Sequence, residues 1–308
     1  VSDPNGQPPP ARIYLVDANN LVHRLFHASA LAFAPSDERT PINATVAWVR
    51  QFRALRQRYR PDVVLPVFDG PGPSWRHARF PGYKAEREAP PQALEDQWVW
   101  IHRATEALRL PLIREPGVEA DDLIAAYTEA AVVQGFEVTV VSNDKDLMQL
   151  IRGPAQGSGS VRQLDVFADR RVGPEEVREK FGVGPERLVD LLALTGERGE
   201  GIPGVPGIGP KTAAKLLARF GDLEGVLSRA EIITQTKRRE ALLAHAEDAR
   251  ISRELVALRK ELALPLALAE VPPWVPSRKT LDAFFAELGF GRFEEALDPQ
   301  PEARPWPG

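Results

Sequence analysis

Gly117-Val-Glu-Ala-Asp-Asp-Leu-Ile124 sets Glu119, Asp121 and Asp122 at the start of a predicted helix. Pro116-Gly117 breaks the chain just upstream, and Leu123, Ile124, Tyr127, Ala130 and Ala131 continue the apolar pattern. Carboxylates suit a helix start, where unpaired N–H groups and the macrodipole favour negative charge. One or two would mean capping alone. Three so close together repel one another, and a cation is the simplest compensation. Other acids placed in the same way elsewhere in the chain decide between the two readings.

Three apolar runs end in acids. Ile13-Tyr-Leu-Val-Asp17 reads as a buried strand, and so does Val138-Thr-Val-Val-Ser-Asn-Asp144, with Asp146 two residues on. Val63-Val-Leu-Pro-Val-Phe-Asp69 carries an internal Pro66, which predicts an irregular or edge strand. Helical patterns fall between them, at 20–32, 44–59 and 93–108. A short strand is expected at 111–113 and an edge strand at 160–167. Strands alternating with helices predict a largely parallel α/β sheet. Sites in such sheets form beyond the carboxyl ends of the strands, where Asp17, Asp69 and Asp144 fall. Converging carboxylates in a chain with 5 histidines suit Mg²⁺ or Mn²⁺, and a pair of such ions supports phosphodiester hydrolysis without a side-chain nucleophile. An aspartyl phosphatase starting from Asp17 is a competing reading. It needs a second Asp two residues later, where this chain has Asn19.

The composition narrows the classes. With 308 residues, 43% of them hydrophobic, the chain can build one large core or two ordinary ones. It has no cysteine, and so no disulfide, thiolate zinc site or cysteine nucleophile. No apolar run is as long as a membrane span and no signal peptide opens the chain, so the expectation is a cytoplasmic protein without a membrane partner. Val1 stands where an initiator methionine would, as in a processed chain, a fragment or an alternative start. The net charge of −4 argues against a general polycation and leaves room for a basic track beside an acidic cluster. The expected domains are a disordered lead at 1–11, a catalytic α/β domain at 12–172, a helical domain at 173–295 and a Pro-rich tail at 296–308.

The segment 70–91 is rich in Gly, Pro, bases and aromatics and reads as a long mobile loop or arch. Arg76, Arg79, Lys84 and Arg87 interleave with Trp75, Phe80 and Tyr83, a pattern that suits phosphate contact and base stacking. An ordinary solvated loop is the plain alternative. Gly201-Ile-Pro-Gly-Val-Pro-Gly-Ile-Gly-Pro-Lys211 reads as a helix-hairpin-helix whose backbone N–H groups approach a phosphate, with Lys211 and Lys215 one turn apart.

Assembled in order, these segments resemble the 5′-3′ exonuclease domain of bacterial DNA polymerase I and its flap-endonuclease relatives. The resemblance runs from about Ile13 to Phe293. It rests on Val16-Asp17 with Arg24-Leu-Phe-His-Ala28, Val67-Phe-Asp69, Ser74-Trp-Arg-His77, Tyr83-Lys-Ala-Glu-Arg87, the acidic helix start, Asp144-Lys-Asp-Leu147, Gly173-Pro-Glu-Glu-Val177 and the hairpin from Ile202 to Gly209. It implies a PIN- or resolvase-like sheet flanked by helices, a helical arch over the site, and a C-terminal all-α helix-hairpin-helix domain that grips duplex DNA. It also implies that Asp17, Asp69, Glu119, Asp121, Asp122, Asp144 and Asp146 hold two Mg²⁺ or Mn²⁺ ions directly or through water. Lys84 and Arg87 as catalytic residues, with Tyr83, would act at the arch on the scissile or flap phosphates, and Arg24 and Arg76 would contact DNA nearby. Lys211 and Lys215 would hold the downstream duplex, with a K⁺ in the hairpin.

One segment departs from the family pattern. Where the family carries two aspartates before the hairpin, this chain has Gly196-Glu-Arg-Gly-Glu-Gly201. Glu197 and Glu200 are each one methylene longer, and a misplacement of roughly 1 Å can cost about a hundredfold in rate. The resemblance therefore implies a monomeric flap endonuclease and 5′-3′ exonuclease, working with or joined to a polymerase. The alternative is a branched-DNA-binding module with an impaired second metal site.

Overall fold

The computed structural model of the chain describes residues 11–154 and 159–292. The expected lead at 1–11 apart from Ala11, the Pro-rich tail and part of the small-residue loop at 153–159 lie outside the described residues. Among the described residues seven strands occur: β1 (Arg12–Asp17), β2 (Phe33–Ala34), β3 (Asp37–Pro41), β4 (Val63–Val67), β5 (Glu137–Val141), β6 (Val161–Asp165) and β7 (Arg170–Val172). Five of them form one sheet in the order β4-β1-β5-β6-β7, parallel except for the last pair. β2 and β3 make a separate hairpin that the sequence pattern did not announce.

Pro66 sits in β4 at the open edge, where a missing N–H breaks no ladder. The strand expected at 111–113 contributes a single parallel bridge, Val67 to Ile113. β6 is not the edge strand that was expected, because β7 returns antiparallel and covers it. The helix expected at 93–108 is two helices, Gln92–Glu95 and Trp98–Ala107. Gln97 lies between them, fully buried, and its Oε1 accepts from the N–H groups of Ala44 and Thr45. It thereby satisfies the open start of the helix Asn43–Tyr59, which no side chain of its own caps.

Both faces of the sheet are covered. Helices Ala18–Ala28, Asn43–Tyr59 and Trp98–Ala107 bury Leu25, Trp48, Phe52 and Ile101 on one face. The acidic helix, Ala120–Val133, buries Leu123, Ile124 and Tyr127 against Ile13, Leu15 and Val140 on the other. Short helices after residue 173 form a second core around Leu191, Leu194, Leu217 and Val226. That helical unit ends earlier than the expected 295. Leu258 joins the core beneath the acidic helix, and Trp274, Leu281, Phe284 and Phe285 join the core on the opposite face of the sheet. The last described helix, Arg278–Glu287, is thus part of the α/β domain, tied by Trp274 Nε1 to Leu108 O at 2.8 Å. No described helix is long and apolar enough to cross a membrane.

Candidate active site

β1 lies between β4 and β5, so the chain leaves the sheet centre in opposite directions and opens a crevice at the carboxyl ends. Asp17, the last residue of β1, caps the following helix by accepting from Asn20 N at 3.1 Å. Its other oxygen accepts from Ser142 Oγ at 2.8 Å. Ser142 Oγ in turn accepts from Asp144 N at 3.0 Å, and Asp144 Oδ1 accepts from Asp146 N at 2.9 Å. Asp69 Oδ1 accepts from Ala120 N at 2.8 Å, which joins the end of β4 to the first turn of the acidic helix. Backbone turns therefore hold the acids of three strands close together.

Their charges disturb one another. Burial, then Asp144, push Asp17 up to about 7. Burial and the same Asp144 push Asp146 to about 7, with Glu200 and Glu197 adding to it. Asp121 rises well above an ordinary aspartate through burial and the charges of Asp17, Asp144, Asp69 and Asp146. Asp146 Oδ1 is buried and accepts no hydrogen bond. Among the described residues no three acidic or histidine side chains form a ready-made metal cage. The acids share an electrostatic field rather than a single focus, and lysines supply part of the counter-charge.

Glu197 and Glu200 both turn toward this field. Glu197 N and O pair with Ile202 in a tight loop, and its carboxylate pairs with Lys145. Burial opposes the Lys145 charge, but the hydrogen bond that Lys145 donates to Glu197 and the charges of Asp146, Glu197 and Asp144 together raise its pKa. Glu200 lies 3.6 Å from Lys84 Nζ. Burial raises the Glu200 pKa against the pull of Lys84, with Asp144 and Glu119 adding to the rise. The extra methylene of each glutamate has not turned its carboxylate away.

The expected mobile arch at 70–91 is anchored to this edge by the buried Ser74, Arg76 and Tyr83, while residues 85–89 stay exposed. It holds one short helix, Trp75–Arg79, and Trp75, Phe80 and Tyr83 pack with the core of the helical unit. Tyr83 is 3% exposed, so its ring is not open to stack on a base. Lys84 adopts a left-handed backbone (φ 53°), a costly conformation for a residue with a side chain, and its N–H donates to Glu200 O at 2.8 Å. Gly201 allows that approach, since a Cβ there would stand 2.2 Å from Gly82 O. Lys84 Nζ reaches Glu119 Oε1 at 3.1 Å, and the charges of Glu200 and Glu119 raise its pKa in spite of burial.

Two expected ligands are not among the open acids. Asp122 is fully buried, and all four of its lone-pair sites are taken by Arg76 Nη1 and Nη2, Trp75 Nε1 and Arg259 N. Glu119 accepts from Ser74 Oγ, Lys84 Nζ, Arg76 Nη1 and Tyr83 Oη, at 2.8–3.1 Å. Burial works against its charge, but Lys84 and Arg76 outweigh that and hold its pKa below the usual carboxylate range. Arg76, expected on DNA, is 3% exposed and lies in the interior. Arg24 pairs with Asp165 at 2.9 Å and stacks 4.1 Å above the Phe167 ring. Arg87, Lys211 and Lys215 are exposed. The residues not anticipated are Asn19, whose Oδ1 accepts from Asp69 N at 2.9 Å, together with Ser142 and Lys145. Their one visible signal was proximity to the strand-end acids.

The chain is therefore an α/β protein with a helical unit beside an acidic crevice. Residues 12–182 match the 5′-3′ exonuclease N-terminal resolvase-like domain, and residues 183–279 match the 5′-3′ exonuclease C-terminal SAM fold. The chain belongs to the 5′-3′ exonuclease family, a family of nucleases. The two matches meet ten residues beyond the expected boundary at 172/173. DNA polymerase I of Rhizobium leguminosarum is 42% identical over 266 residues, covering 83% of this chain and 25% of that protein. DNA polymerase I of Bacillus caldotenax is 34% identical over 287 residues, covering 93% and 32%. The chain thus spans about a quarter to a third of these relatives. T5 5′-exonuclease with bound zinc shares the fold at a TM-score of 0.68, with 22% identity, 90% of this chain and 98% of that one covered. The catalytic core of Rad2 with DNA substrate shares it at 0.58, with 16% identity, covering 94% and 92%.

Proposed function

We propose that this chain is a divalent-metal-dependent 5′ nuclease that hydrolyses DNA phosphodiesters at 5′ ends, flaps and nicks, RNA primers included, in replication and repair. The observation that carries the reading is the set of mutually repelling acids from three strand ends and one helix start, facing Lys84 across the crevice. The donor set fits two Mg²⁺ or Mn²⁺ ions, since hard oxygens dominate and the buried Asp146 Oδ1 accepts no hydrogen bond, with Lys145 Nζ 3.9 Å away. Asp17, Asp69, Asp121, Asp144 and Asp146 would hold them, with Glu197 and Glu200 serving the second ion. Bound ions of this kind ease attack by water on phosphorus and offset charge on the leaving oxygen.

The chain's own groups do the rest. Glu119 does not serve as a direct ligand in this reading. It orients Lys84 and Tyr83 through the hydrogen bonds above. Lys84, held at the rim, neutralises the scissile phosphate, and Arg87 meets the flap. Exposed Lys211 and Lys215 hold the duplex on the hairpin side, where a K⁺ would bind among backbone carbonyls. A monomer acting in the cytoplasm beside, or joined to, a DNA polymerase completes the reading. The binding-module alternative rests on the Glu197 and Glu200 substitutions alone, and the family match does not favour it.

The test is a 5′-labelled flap substrate incubated with Mg²⁺, Mn²⁺ or EDTA, with Asp144→Ala alongside. Metal-dependent cutting that the variant lacks supports the reading. Tight flap binding with no cutting in either metal would sink it.

A further inference from the structure

Arg76 uses all five of its N–H groups inside the protein. Nε donates to Leu255 O at 2.7 Å, Nη1 to Glu119 Oε2 and Asp122 Oδ2 at 2.8 Å each, and Nη2 to Asp122 Oδ1 at 2.8 Å and Ala257 O at 3.3 Å. Leu255 and Ala257 lie at the end of the helix Ala246–Val256, where free carbonyls and the macrodipole favour a cation. The Arg259 N–H donates to Asp122 Oδ1 at 3.0 Å, and the Arg259 guanidinium lies 3.8 Å from the Trp75 ring centre. Trp75 also lies 4.7 Å from the Arg76 guanidinium. One buried side chain thus joins the segment bearing Lys84, the start of the acidic helix and the end of a helix of the second core. A lysine could keep the charge but not this planar fork.

We infer that Arg76 is a positioning residue that never meets DNA: it ties the end of the helix Ala246–Val256 to Glu119, so that the helical unit and Lys84 are held in one register at the acidic edge. The inference rests on the nuclease reading above and makes a narrower claim. A DNA seated on the helical unit then meets Lys84 at a set distance from the acids, because Glu119 cannot shift without breaking the Arg76 fork. Loosening the fork should slow the reaction of bound DNA and leave binding alone.

The experiment compares wild type with Arg76→Lys, Arg76→Gln and Asp122→Asn. Single-turnover cleavage of a saturating 5′-flap is measured, with flap Kd in EDTA across salt concentrations and amide hydrogen exchange in EDTA. Arg76→Lys should cut about a hundredfold more slowly, the cost of misplacement by roughly 1 Å. Its Kd should stay within about twofold of wild type with the salt slope unchanged. The Arg259 amide should lose protection while amides of β1 and β5 keep theirs. Asp122→Asn should reproduce the slow cutting, and the Arg76→Lys, Asp122→Asn double variant should lose less than the product of the single losses.

A weaker Kd with the salt slope reduced by about one would make Arg76 a phosphate contact and overturn the inference. Unchanged cutting would overturn it as well. Loss of protection across β1 and β5 in both Arg76 variants would reduce Arg76 to a general stabiliser. Should wild type itself fail to cut in either metal, the nuclease reading falls, and the Arg259 amide then decides the tie on its own.

Discussion

Asp121 and Asp122 are neighbours in sequence, in the first turn of one helix, and they belong to opposite worlds. Asp122 sits in a closed network in which Arg76, Trp75 and Arg259 use every lone pair it has. Asp121 turns into an open field of carboxylates that raise its pKa by their charge, after burial itself. Successive helical positions diverge by about a quarter turn or more, which is enough to separate the two fates. In the closed region charge is matched and stabilising. In the open region Lys84 and Lys145 match the charge only in part, and the fold carries that cost where chemistry needs it.

The contrast can be broken at several points. Asp146→Asn should lower metal-dependent cleavage of a flap by roughly a thousandfold or more, because a two-ion site loses a charged donor. Single-turnover rates measure it, and near-wild-type cutting would remove Asp146 from the open set. Asp122→Ala should destabilise the protein by about 3–5 kcal/mol, the usual cost of leaving a buried partner such as Arg76 uncompensated. Urea unfolding in EDTA measures that, and a loss below about 1 kcal/mol would mean the network is not closed.

Acidity should separate the regions with opposite signs. Glu119 has a lowered pKa, so its contribution is present above its unfolded value and is lost as pH falls through the folded one. Asp17 and Asp146 are raised to about 7, so the open cluster favours folding below the ordinary aspartate value and loses that contribution as pH rises through about 7. In EDTA, Asp146→Asn should therefore gain about 1 kcal/mol of stability at pH 8 and nothing at pH 4. Melting temperatures across pH test it, and an equal gain at both ends would contradict the raised pKa. The smallest effect should lie outside both regions. Lys211→Ala and Lys215→Ala should each weaken duplex binding a few-fold and reduce the salt slope by about one, with the rate at saturation unchanged. A fall in that rate would place the hairpin closer to the chemistry than this account does.

Much of the open region was legible in the chain. Asp17, Asp69 and Asp144 end apolar runs, and a parallel sheet delivers strand ends to one edge. Glu197 and Glu200 were legible as acids, though not as acids still facing the crevice, since that depends on Lys145 and Lys84 reaching them. The closed region was misread. Arg76, Trp75 and Tyr83 lie in a Gly- and Pro-rich segment whose composition suggests a mobile basic loop, and their partners come from far along the chain. Arg76 meets residues 43, 46, 179 and 181 positions away. The return of residues 258–288 onto the sheet was missed for a related reason. Apolar spacing marks a buried face without naming the core that buries it.

Residue type and spacing thus marked which side chains are acids and where the apolar runs that feed the sheet end, because those features depend on local periodicity and turn chemistry. Which acids stay free for a cation and which are consumed by a buried guanidinium was settled by folding alone. Hydrogen-bond capacity is finite, and how each lone pair is used depends on contacts that no local pattern encodes.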